Sequence, residues 1–282
     1  MILAFVVLAC PCLLPPDLEE RRAREDKFSA AAATSADWLR GQAVAEARRL
    51  GTSHRWAGEY DYYAGEGSGP AALTLAPNAG FTFESHACGE LDDRNVGAVT
   101  EEGDRLRLHP AYIESQPRET EMPVEYVAIA SGSRRYLVPP DALQEFCNAV
   151  NRGDQPYFLQ RRGGGQTAGI PATADGPLDC VLARPLWTRI TSVGPPRVEN
   201  GGQRYDTVAT TVTLGAGRRD GVREGSVFLI QATGIFDEEE LVVTKVGERS
   251  SQAELSIWAE AGTRRTPGVG WPVTTRRRAT ER

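Results

Sequence analysis

At 282 residues, with 40% hydrophobic and 25% charged residues, the chain is long enough for one or two globular domains with true cores. Its 29 glycines and 18 prolines favour turns over long helices, which argues against an all-α protein. The net charge is -6, and the basic excess that binding a phosphate backbone requires is present in neither part of the chain. From Thr188 onward 14 basic residues face 12 acidic ones, a net of +2, which leaves -8 before it. Nucleic acid is therefore not the expected partner.

The chain starts with an uninterrupted apolar run, Met1 to Ala9. About 20 apolar residues are needed to span a bilayer, so this run is too short to cross one, yet it fits the apolar region of a secretory signal. Residues 1–14 are therefore expected to be an export segment. Val7-Leu8-Ala9-Cys10 also resembles the lipobox of bacterial lipoproteins. That resemblance implies lipidation at Cys10, attachment to a membrane through the lipid, and a place in the periplasm or on the outer membrane. No basic residue precedes the run and Pro11 follows Cys10, two departures from the lipobox pattern.

Residues 15–54 read as a helical segment. Its first half is mixed charge, and its second half aligns Leu39, Ala43, Ala47 and Leu50 on one stripe beside Trp38, with Gly51 as a C-terminal cap. From Trp56 the pattern changes to period two. Trp56-Ala-Gly-Glu-Tyr60-Asp-Tyr62-Tyr63, Leu73-Thr-Leu75, Phe81-Thr-Phe83-Glu-Ser85-His86, Val96–Val99, Arg105–Leu108, Val124–Ile129 and Arg135–Val138 are expected strands. Asn78-Ala79-Gly80 and Gly103-Asp104 are turn chemistry. Pro139-Pro140-Asp141 opens a short helix, with Asp141 as its N-cap and Leu143, Phe146, Cys147 and Val150 on its inner face. Residues 55–153 are thus expected to form an antiparallel meander closing into a barrel.

The next stretch, 154–185, is rich in Gly, Ala, Thr and Pro and reads as a flexible linker. Six short strands follow in 186–276: Thr188–Val193, Thr207–Leu214, Val227–Gln231, Leu241–Val246, Ala253–Trp258 and Trp271–Thr275. Gly215, Gly217, Gly221 and Gly225 mark corners, so a second, small six-stranded barrel is expected, followed by a basic tail at 277–282. The fold class is mainly β.

The series Gly58-Glu-Tyr60, Leu73-Thr-Leu75, Gly80-Phe-Thr-Phe83 and Gly97, followed by Leu106-Arg-Leu108, resembles the lipocalin-like (calycin-type) barrels of small bacterial lipoproteins. Val212-Thr-Leu214, Asp220-Gly-Val-Arg-Glu-Gly-Ser-Val-Phe228 and Pro272-Val-Thr-Thr275 resemble the small C-terminal barrel of flagellar assembly protein T. The second resemblance implies an interaction module of the envelope. Neither brings catalytic residues with it.

With Cys10 set aside for lipid, four cysteines remain, a number suited to an oxidising compartment. Cys88 with Cys147 is the expected bridge, since both fall in the first domain and would enclose a long loop. No phosphate-cradling loop exists, because neither Lys27 nor Lys245 follows the required glycines. Gly65-Glu-Gly-Ser-Gly69 fits neither a dinucleotide fingerprint nor a nucleophile elbow. His86 and Cys88 are two apart near several acids, but no second ligand pair stands at metal spacing. No catalytic, cofactor or metal residues are therefore expected. Tyr60, Tyr62, Phe81 and Phe83 either fill the first barrel or line a ligand cavity in it. The expectation is a non-enzymatic exported envelope protein that binds a partner protein or envelope component through its β domains. The alternative is a carrier of a small apolar ligand in the first barrel.

Overall fold

The computed structural model describes residues 35–62, 71–87, 90–115, 122–131, 134–163, 174–175, 178–201, 205–232, 236, 238–260 and 265–278. Cys10, Cys12, Cys88 and the basic tail beyond Arg278 lie outside these residues, as does the first half of the expected N-terminal helix.

Helix α1 covers residues 35–50 and buries Ala36, Ala43 and Ala47, so small side chains let it lie close on the sheet. Trp38, expected beside that stripe, instead points to solvent. The chain turns at Gly51, whose φ of 62° is the left-handed geometry of a C-terminal cap. Eight strands then follow: β1 (Gly58–Tyr62), β2 (Ala71–Ala76), β3 (Gly80–Ala87), β4 (Glu90–Glu102), β5 (Arg105–Ser115), β6 (Glu125–Ser131), β7 (Arg134–Val138) and β8 (Leu159–Arg161). Each pairs antiparallel with the next, β8 returns to β1, and the ring is complete; the two-residue β9 (Ala174–Asp175) adds to β6. The result is an up-and-down antiparallel barrel of eight strands.

Strand pairing steps along the barrel as it goes round. One way from Tyr60, partners run through Leu73, Phe83 and Asn95 to Ile113, near the end of β5. The other way, through Arg161, β7 and β6, they reach the start of β5. Such stagger tilts the strands, and eight tilted strands enclose room for filling side chains or one small ligand.

Two helices cover the outside. Glu46 of α1 accepts hydrogen bonds from the β2–β3 turn, at 3.2 Å from Asn78 N, 2.6 Å from Asn78 Nδ2 and 2.7 Å from Ala79 N. Arg94 links Asp37 of α1 (3.1 Å) to Glu84 (3.2 Å), and Arg40 reaches Glu84 at 3.0 Å. Since three donors converge on one carboxylate, Glu46→Ala is expected to lower stability by about 1–2 kcal/mol, measured by urea unfolding. A change below about 0.3 kcal/mol would mean that water replaces these bonds without loss.

Helix α2 (Leu143–Arg152) follows a 3-10 turn at Pro140–Ala142. The expected cap at Asp141 is not formed: Ala142 occupies the N-cap position without a side-chain bond, because the 3-10 turn itself leads the chain in. Gly153 ends the helix at φ 83°. Val127, Ile129, Tyr136 and Val138 project outward from β6 and β7 and form a cluster with Phe146, Cys147 and Val150. Tyr126 and Leu137 of the same strands face inward, in a separate cluster with Tyr60, Leu73 and Phe81.

The linker expectation is corrected at both ends. Residues 159–161 are β8, without which the first barrel would stay open, and Leu178, Cys180 and Val181 pack on α2. The disulfide is corrected as well. Cys147 is bonded to Cys180, with Cα atoms 5.8 Å apart, and not to Cys88. The folded-back segment places Cys180 against α2. Closing a loop of 33 residues stabilises by about 3–4 kcal/mol in the chain-entropy account.

The second barrel is closed by six antiparallel strands in the order β10-β11-β14-β13-β12-β15. They are β10 (Trp187–Gly201), β11 (Tyr205–Leu214), β12 (Val227–Ile230), β13 (Glu240–Val246), β14 (Ser251–Glu260) and β15 (Pro272–Thr274). Its interior is apolar and separate from that of the first, built on Ile190, Val208, Leu214, Phe228, Leu255 and Val273 among others.

Candidate functional site

The interior of the first barrel gathers three of the four candidate residues. Cross-strand partners point to the same side of a sheet, and Leu73, paired with Tyr60 and Phe83, is wholly buried inside. Tyr60 and Phe81 are buried in the apolar cluster with Leu75, Leu106, Leu108 and Leu137. Phe83 faces the same interior but remains partly exposed. The side chain of Tyr62 lies outside the described residues.

One end of this barrel is sealed by polar groups. Tyr60 Oη donates to Trp56 O at 2.6 Å, and Trp56 Nε1 donates to Glu101 Oε2 at 2.9 Å. His54 Nδ1 accepts from Ala57 N at 2.9 Å and from Trp56 N at 3.3 Å, so that nitrogen carries no proton. Arg161 enters from β8, buried, and donates to His54 O at 2.8 Å and to Gly51 O. Its guanidinium lies where a side chain on residue 58 would stand, so Gly58 has to be glycine. Burial raises the Tyr60 phenol far above its usual range, with the nearby Arg161 and Arg135 charges pulling the other way. Burial alone raises Tyr126. Both phenols therefore stay neutral at any physiological pH.

The wall formed by β6 and β7 differs from this packed end. Ala128 and Ala130 pair with Leu137 and Arg135, so all four face inward. Leu137 is wholly buried, yet Ala128, Ala130 and Arg135 are partly exposed. Solvent reaches this wall in part, while Ala128 also packs against the interior cluster. Two buried polar residues on β4, Asp93 and Asn95, also face inward, with Asn95 Nδ2 donating to Asp93 Oδ2 at 2.9 Å. The arrangement thus offers an apolar floor, a partly wetted alanine wall and a few fixed polar groups. Small-ligand sites combine apolar lining with a few polar groups in the same way.

Arg161, Asp93 and Asn95 were not singled out from the sequence. Arg161 falls in the glycine-bearing stretch read as linker, and Asp93 and Asn95 precede the strand expected at Val96–Val99. His86 lies partly exposed on β3, and His109 Nε2 is 2.9 Å from Thr100 Oγ1 on the outer face. Among the described residues no three His, Cys, Asp or Glu side chains converge on a metal-sized point.

On the second barrel the exposed aromatics are the conspicuous feature. Trp258 on β14 is 82% exposed. Tyr205 on β11 pairs with Glu260, which places it diagonally across from Trp258 on the same outer face. Comparison of the chain with protein-family models, curated proteins and solved structures found no match. The barrels stand as architecture, and the lipocalin-like and flagellar-type resemblances rest on their quoted motifs alone.

Proposed function

We propose that this protein is a non-enzymatic binding protein whose first barrel takes up a small, largely apolar ligand. One observation carries the reading: inward-facing Ala128 and Phe83 retain solvent exposure while their partners Leu137 and Leu73 have none. A barrel filled for stability alone would bury all four. The apolar floor of Tyr60, Phe81, Leu106 and Tyr126 supplies the ligand's hydrophobic contact. A lipocalin-like carrier role, suggested by the motifs of β1 to β5, agrees with it.

The test uses the neutral apolar dye N-phenyl-1-naphthylamine on the full chain. Enhanced dye fluorescence is expected with the natural protein. Ala128→Trp, which fills the wall, is expected to weaken binding at least about tenfold, a loss of about 1.4 kcal/mol. A melting temperature recorded for both proteins separates filling from unfolding. Equal dye affinity in a folded Ala128→Trp protein would remove the carrier reading.

A second reading is favoured by a different observation, the exposed Trp258 and Tyr205 on a regular sheet. Aromatic residues are enriched where proteins dock. In this reading the second barrel attaches the protein to a partner protein or envelope component. Cross-linking in cell extract that survives in Trp258→Ser would argue against it. The placement we propose is outside the cytoplasm, in the periplasm or held to the outer membrane through Cys10; the Cys147–Cys180 bond supports an oxidising compartment.

A further inference from the structure

We propose that the Cys147–Cys180 disulfide is a redox latch that sets how firmly one turn of the second barrel is held against α2. Two jaws grip the turn Gly217 to Val227 of the second barrel, while Arg152 at the end of α2 also pairs with Glu240 at 3.2 Å and accepts from Arg277 N at 3.1 Å. The first jaw is α2. Asn148 Nδ2 donates to Gly225 O at 2.8 Å and Asn148 Oδ1 accepts from Val227 N at 3.3 Å, so one side chain completes the backbone bonds at the start of β12. Gly225, at φ 78°, lies so close to α2 that a Cβ there would come within 2.9 Å of Gln144 Cγ. The second jaw is the segment 178–182. Asp179 pairs with Arg223 at 2.6 Å, and Leu182 lies against Gly221, where a Cβ would be 3.1 Å from its Cδ2.

The disulfide joins one jaw to the other. Apart from it, the second jaw is held to the first by Asn151, which donates to Cys180 O at 3.1 Å and accepts from Leu182 N at 2.9 Å, and by the apolar contacts of Leu178 and Val181. The Asp179–Arg223 pair is exposed and adds little. Cys147 is wholly buried, but Cys180 is partly exposed. A dithiol reductant therefore attacks Cys180 Sγ and expels the Cys147 thiolate. Its second thiol then resolves the mixed disulfide, so that the S–S bond takes up two electrons and two protons while the dithiol becomes a disulfide. Neither barrel's interior contains the bond, so reduction loosens the grip on this turn and leaves both barrels folded.

The latch is tested by amide hydrogen exchange on the full chain, oxidised and after treatment with dithiothreitol, with thiols counted to confirm reduction. Reduction is expected to speed exchange at the Val227 and Leu182 amides at least about tenfold, while amides of β2, β3, β11 and β14 keep their protection. Asn148→Ala with the disulfide intact removes the first jaw's grip and is expected to speed exchange at Val227 by a similar factor. Unchanged exchange at Val227 in the fully reduced protein would overturn the proposal. Equal loss of protection throughout the first barrel would overturn it too, since the bond would then be a staple of that barrel.

Discussion

Replacing Phe146 by alanine is expected to destabilise the first barrel by about 3–5 kcal/mol, the largest effect of any single truncation outside a barrel interior. Phe146 is wholly buried at the centre of the cluster between α2 and the outer face of β6 and β7. Its ring stands edge-on to Tyr136 at 5.2 Å and tilted to Phe158 at 5.7 Å, contacts that add to the burial itself. The strands on one side and the disulfide-bonded helix on the other cannot both move into the gap, so most of the cavity would persist. Urea unfolding followed by tryptophan fluorescence measures the loss. A cost under about 1 kcal/mol would show that α2 is only lightly attached to the barrel.

Arg161→Met should lower stability by about 2–4 kcal/mol, although the methionine keeps much of the side-chain volume. The reason is what remains behind. Gly51 O and His54 O would lose a charged donor in a place that is largely closed to water. Arg161→Lys is expected to recover only part of the loss, because one ammonium does not reproduce a planar fork that serves two separate carbonyls. The melting temperatures of the three proteins rank these outcomes. A lysine variant equal to the natural protein would mean that charge alone, and not the fork, seals this end.

The two losses bear on function differently. Phe146 supports the outer side of β6 and β7, the strands whose inner side carries Ala128 and Ala130. Its truncation is expected to disturb both dye binding and the joint to the second barrel. Arg161 ties β8 to the Gly51–His54 segment, so its replacement should weaken the fold without tracking ligand size.

Much of the architecture was legible because it is local. Period-two alternation from Trp56 to Val138 and six short apolar runs after Trp187 each encode one buried face, and every expected strand contains or overlaps an observed one. Gly153 and Gly103 marked their turns because both adopt positive φ, which most other residues resist. The candidate aromatics were equally legible as inward-facing, since Tyr60, Phe81 and Phe83 keep the parity of their strands.

Non-local contacts decided the rest. Leu159-Gln-Arg161 is too short to show a period, and it becomes a strand only because β1, about a hundred residues earlier, offers an edge that would otherwise stay unpaired. Cysteine partners depend on where a chain returns, and the stretch after Gly163 carries no pattern that announces its return to α2. Whether an inward alanine faces a neighbour or a gap depends on side chains from strands across the barrel. The sequence by itself therefore determined which faces are apolar and how many sheets they build, because burial is written residue by residue. Only the tertiary structure decided which edges meet, which sulfurs bond and which inward side chains stay partly exposed, because each of these is a relation between segments that share no local signal.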